Sequence, residues 1–153
     1  MTSLPVTAPA LHVEEAGEGT PVVLLHGLTA THRYVVMGSR ALERGGHRVI
    51  AYDARGHGAS EAATDAGAYR YEELAADLLR VMDERGIRRA VVAGASMGAL
   101  QAYQWAVSHP GMVDRILPVI GAAGGDPFLI AWLDIWALPV RLDPKWRGGD
   151  YPE

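Results

Sequence analysis

Residues 89–98 read RAVVAGASMG, and the last five, Gly94-Ala95-Ser96-Met97-Gly98, make a G-x-S-x-G pentapeptide at the end of an apolar run. The run Arg89–Ser96 predicts a buried strand. Met97–Ser108 predicts a helix, closed by His109-Pro110-Gly111. A serine on so sharp a strand-to-helix turn takes a strained backbone conformation, so the residues two before and two after it must be tiny to avoid collision. The turn holds the hydroxyl over the sheet edge, where the positive end of the helix dipole faces developing negative charge. Ser96 is therefore the candidate nucleophile; the bland alternative is a glycine-rich turn with an incidental serine.

Working outward, two more apolar runs read as buried strands, PVVLLHG (Pro21–Gly27) and RVIAYD (Arg48–Asp53). Unbroken runs of this kind suit a parallel sheet covered on both faces. A further strand is expected over Arg115–Ala123, with Pro118 marking an edge or a bulge, and an earlier one within Leu11–Gly17. Between them, Tyr71–Arg85 sets Leu74, Leu78, Val81 and Met82 on one helical face. A looser helix is expected over Tyr34–Arg44, stopping at Gly45-Gly46. The alternation implies an α/β fold, with a parallel sheet over residues 20–123 and helices on both faces.

Acyl transfer needs two backbone N–H donors aimed at the oxyanion. One comes from the residue after the nucleophile, Met97, and the other by position from Leu28 in HGLTA (His26–Ala30). His26 precedes the serine and reads as a turn-stabilising residue rather than a base. The segment YDARGHGAS (Tyr52–Ser60) carries Asp53, Arg55, Gly56, Gly58 and Ser60 in a D-x-R-G-x-G-x-S pattern, which holds a tight loop. His57 reads as a loop histidine.

Together these motifs, in this order and at these strand ends, resemble the α/β-hydrolase superfamily over residues 11–123. The resemblance implies the α/β-hydrolase fold, with Ser96 as nucleophile and the Leu28 and Met97 amides as oxyanion donors. The last third, with ALQAYQWAVSHPGMVDRI (Ala99–Ile116) and RLDPKWRGGDY (Arg141–Tyr151), looks like the homoserine O-acetyltransferase branch. Asp143, Pro144, Trp146, Gly148, Gly149 and Tyr151 match its D-P-x-W-x-G-G-x-Y segment, which follows the sixth strand and opens the lid. Residues 20–95 look more like ester and epoxide hydrolases. Two readings follow: a hydrolase-like member of that branch, or a sequence joining two parents near Ser96.

The superfamily order is Ser, then Asp or Glu, then His. After Ser96 the sequence holds one histidine, His109, which by helical rise lies about 18–20 Å along the helix from the serine. Asp126 is a weak candidate for the acid. The chain is thus expected to be a fragment cut after the sixth strand and the start of a lid, with residues 1–123 the N-terminal part of the core and 124–153 the start of the lid. In FLIAWLDIWALPV (Phe128–Val140), Phe128, Trp132, Ile135 and Trp136 share a helical face, suited either to packing or to a lid over an acyl pocket.

Composition bounds the rest. The 153 residues fit one domain, and with 49% hydrophobic and 21% charged residues they can bury a real core. The net charge of −4 gives no basic footprint for nucleic acid or an anionic membrane. No cysteine is present, which excludes disulfides, thiolate metal sites and a cysteine nucleophile. The N-terminus shows no signal peptide, and the longest apolar segment is too short to span a bilayer, so a soluble cytoplasmic protein is expected. The expected substrate is a small-molecule ester or acyl compound. No cofactor and no metal is assigned, with acetyl-CoA as acyl donor if the acyltransferase reading holds. The oligomeric state is open, and an inactive fragment or binding module is the alternative to an enzyme.

Overall fold

The computed structural model describes residues 8–122, 124–125, 127–146 and 148. The chain divides into two units, Met1–Gly121 and Ala122–Glu153. In the first, β1 (Val13–Ala16), β2 (Thr20–Leu25), β3 (His47–Tyr52), β4 (Ala90–Ala95) and β5 (Val113–Val119) form one sheet in the order β1-β3-β2-β4-β5. The pairs β2–β3, β2–β4 and β4–β5 are parallel, and β1 runs antiparallel to β3 with Glu14 opposite Ala51. The parallel core is the one the apolar runs predict. Pro118 lies in β5 at the end of the strand order, where one missing donor costs least.

Alternation along the strands divides the core. On one face Val23, Leu25, Ile50, Tyr52 and Val92 pack against α3 (Tyr71–Glu84) and α4 (Met97–Ser108), which supply Leu78, Val81, Met82, Ala102 and Trp105. Each large aliphatic side chain buried there contributes about 1.5–3 kcal/mol. On the other face Val22, Leu24, Val49 and Ala51 meet Val35 and Val36 of α1 (His32–Val36). That cover is thin. A cavity of about 420 Å³ remains between Val22, Leu24, Val91, Leu117 and Val119 of the sheet and Leu42 of α2 (Ala41–Arg44).

Two expectations are corrected in detail. The single helix over Tyr34–Arg44 is two short ones, because Met37 turns into the left-handed region (φ 46°) and Gly38 follows it there (φ 78°). β5 begins and ends earlier than Arg115–Ala123, whereas the early strand, Val13–Ala16, lies within Leu11–Gly17 as expected.

In the second unit, α5 (Pro127–Leu142) includes the predicted apolar face. The Phe128 and Trp132 rings lie 6.4 Å apart and those of Trp132 and Trp136 6.0 Å apart. No described helix is long and apolar enough to cross a membrane. Asp126, Gly149 and Tyr151 lie outside the described residues.

Candidate active site

β4 ends at Ala95 and α4 begins at Met97, so Ser96 alone makes the turn, with φ 53° and ψ −117°. For a residue with a Cβ this conformation costs about 1–3 kcal/mol and survives only where its surroundings over-determine it. They do so on both sides. The Ser96 N–H donates to the Val119 carbonyl of β5 (2.9 Å), and the Ser96 carbonyl accepts from the amides of Ala99 (2.9 Å) and Leu100 (3.2 Å). The flanking glycines are required by contact. A Cβ at Gly94 would collide with the Gly98 carbonyl, and a Cβ at Gly98 with the Leu25 carbonyl of β2. The residue is exposed, and its hydroxyl has no hydrogen-bond partner among the described residues.

The HGLTA loop comes to the same place. A Cβ built on Gly27 would lie 3.3 Å from Ser96 Cβ and 3.8 Å from Ser96 Oγ, so the Gly27 backbone rests against the serine and Leu28 follows directly. The Ala30 amide donates to the Gly27 carbonyl (3.1 Å), closing the loop. Among the described residues, neither the Leu28 N–H nor the Met97 N–H has a hydrogen-bond partner; for Met97, at the first position of α4, helix geometry leaves it so.

Two histidines support this loop. His26 is buried; its Nε2 accepts from the Ala54 amide (2.8 Å), so its Nδ1 carries the proton donated to the Gly27 carbonyl (2.8 Å). Burial holds its pKa below the usual 6.5. The His57 ring lies 5.0 Å from that of His26, with Nε2 2.7 Å from the Leu28 carbonyl and Nδ1 3.0 Å from the Arg55 carbonyl. His109 caps the far end of α4, its ring 4.2 Å from that of Trp105. His47 opens β3, at the end of the parallel strands opposite Ser96. None of the six histidines hydrogen-bonds to Ser96.

The D-x-R-G-x-G-x-S loop is held from within and from α3. Burial would raise the Asp53 carboxyl, but hydrogen bonds from the His32 and Ala59 amides and the His32 ring outweigh it and keep its pKa below the usual 3.8. Ser60 Oγ donates to the Asp53 carbonyl (2.6 Å) and accepts from the His12 amide (2.8 Å). Arg55 forms a buried bidentate pair with Asp77 of α3 (2.7 and 2.9 Å) and donates to the Ala68 carbonyl (2.6 Å). The partner Asp77 was not legible from spacing, although an acidic residue on the buried face of α3 was a visible oddity.

A family model described as alpha/beta hydrolase fold matches residues 20–152. The chain is 32% identical over 114 residues to the AB hydrolase superfamily protein YisY of Bacillus subtilis, covering 74% of this chain and 42% of that protein. It is 40% identical over 72 residues to the homoserine O-acetyltransferase of Rhodospirillum rubrum, covering 46% of this chain and 18% of that enzyme. Among solved structures it resembles one from work on carboxylesterases of the Thaumarchaeon Nitrososphaera gargenis, with TM-score 0.80 and 26% identity over 94% of this chain and 53% of the other. The chain thus spans less than half the length of these curated relatives and about half of the solved structure.

Proposed function

The chain belongs to the alpha/beta hydrolase fold family, and on that footing we propose that it is the nucleophile-bearing part of a serine enzyme that works through an acyl-serine, hydrolysing a small-molecule ester or a related acyl compound. The observation that carries this reading is Ser96 itself: an exposed hydroxyl on a left-handed turn between β4 and α4, with Gly27 packed against it. In the proposed reaction Ser96 Oγ attacks the acyl carbon as its proton passes to a base. The tetrahedral oxyanion accepts hydrogen bonds from the Leu28 and Met97 amides and collapses, expelling the alcohol and leaving the acyl-serine. Water then takes the acyl group. This chemistry needs no cofactor.

A serine hydroxyl is a weak nucleophile without a base. The rings of His26, His57 and His109 are committed to the contacts described above. We infer that the base, and the acid that orients it, come from polypeptide outside this chain. We also read residues 124–153 as the start of a lid, whose apolar face suits an acyl group.

The similarity to a homoserine O-acetyltransferase favours a second reading, in which an alcohol rather than water receives the acyl group and acetyl-CoA is the donor substrate. One experiment tests both. The protein translated from the complete reading frame is assayed with p-nitrophenyl esters, and with acetyl-CoA plus homoserine, before and after Ser96→Ala. The expected loss in kcat/KM is about a thousandfold or more for whichever substrate turns over. Undiminished turnover in the variant would overturn the nucleophile assignment. The 153-residue chain alone should hydrolyse esters no faster than its own Ser96→Ala variant.

A further inference from the structure

The antiparallel pairing of β1 with β3 brings together residues far apart in the sequence. His12 precedes β1, Glu14 lies in it and His32 opens α1, yet one ligand atom from each falls within 4.8 Å of the others. His32 is the fixed member. Its side chain is only 8% exposed, and Asp53 Oδ1 accepts from both its backbone amide and its ring Nδ1 at 2.8 Å. The other ring nitrogen, Nε2, is buried without a hydrogen-bond partner. It lies 3.1 Å from Glu14 Oε1, which in turn is 3.9 Å from His12 Nε2.

With Nδ1–H given to Asp53, a neutral His32 presents an Nε2 lone pair to a carboxylate oxygen. Two acceptors facing each other at that distance need a positive charge between them: a proton on Nε2, or a metal ion.

We propose that His12 Nε2, Glu14 and His32 Nε2 bind a divalent transition metal, with zinc the best fit. Two imidazoles and one carboxylate are a zinc donor set that leaves a fourth position for water. Asp53 is the outer-shell carboxylate that fixes the tautomer of a metal-bound histidine and raises its basicity. The backbone is already in place. The His12 amide donates to Ser60 Oγ, its carbonyl accepts from the Asp53 amide (3.0 Å), and Glu14 is held opposite Ala51 in the ladder. Closing the site to zinc–ligand distances near 2.0–2.1 Å requires movement of only the more exposed His12 and Glu14 side chains. The ion would clip the edge strand to the start of α1, just past the HGLTA loop. It is independent of the acyl-serine reading.

The test uses the untagged, chelator-stripped chain. Zinc titration by calorimetry should give one equivalent and a raised Tm, and cobalt should give a visible ligand-field spectrum. His12→Ala and Glu14→Gln, each checked for folding by circular dichroism, should weaken zinc binding by about tenfold or more, whereas His47→Ala, at the far end of β3, should not. In wild type, the ring nitrogen resonances of His12 and His32 should shift with zinc, a readout that needs no variant. Binding that survives either substitution at full strength overturns the proposal. So does the absence of stoichiometric binding, or of a His32 shift, in folded wild type, and the ion between His32 and Glu14 is then a proton.

Discussion

His26 shows at one residue how the loop beside Ser96 is made dependent on a protonation state. A proton added to Nε2 would meet the Ala54 N–H head-on and forfeit that hydrogen bond. The folded pKa lies below the ordinary 6.5, chiefly because burial disfavours the charge. Between the two values the unfolded chain binds a proton that the folded chain refuses, so stability falls as pH drops below 6.5. Asp53 has the same sign in a lower window: its carboxyl is held below 3.8, and its contribution is lost as pH falls past that value. Denaturant midpoints measured against pH should therefore decline in two stages. His26→Gln, lacking a titrating ring, should be less stable but flatter through the first. A wild-type midpoint that stayed level from 6.5 to 3.8 would contradict the assignment.

Among the elements, α3 does more than cover the sheet. Its Asp77 grips Arg55, and so fixes the loop after β3 against the helix. Both side chains are buried, and Arg80 (3.2 Å) is the remaining cation on Asp77. Removing one partner strands a buried charge, which typically costs about 3–5 kcal/mol, whereas replacing both with apolar groups is often tolerated. Arg55→Met should therefore lower the stability of the chain by that order, and Arg55→Met/Asp77→Leu should recover much of the loss in urea unfolding. Additive losses would show that the pair is not coupled. The elements also mark what was legible. β2, β3, β4 and α4 are apolar runs punctuated by glycine, and local spacing is enough to find them. The break at Met37 was not legible, since a methionine gives no sign of a left-handed turn. β1 was recognisable as a strand but not in direction, because its four residues, VEEA, carry no record of their partner. Ser96 and its glycines were legible because the steric demand is local. The cluster of His12, Glu14, His32 and Asp53 was not, because it exists only once β1 has turned back along β3.

On the scale of the whole molecule, the sheet is unequally finished. Leu117, Val119 and Ile120, in and just after β5, are 58%, 44% and 87% exposed, beside the cavity left by the thin cover of α1 and α2. An edge strand with exposed apolar side chains is a template for pairing with another chain. The 153-residue chain should elute as a concentration-dependent mixture of monomer and larger species in size-exclusion chromatography, and Leu117→Lys/Val119→Lys should shift it toward monomer. A sharp monomer peak at every concentration would refute this. The uneven finish extends to the placement of the indoles. Of the four tryptophans, Trp105 alone belongs to the sheet-bearing unit, where it is fully buried, while Trp132, Trp136 and Trp146 all fall in the second unit. Three of the four indoles thus lie in the part that contains neither the sheet nor the serine. The indole whose surroundings change most on unfolding is nevertheless Trp105, which is fully buried, whereas Trp132 and Trp136 are already 46% and 60% exposed, so a shift of emission in denaturant reports chiefly on the melting of the core.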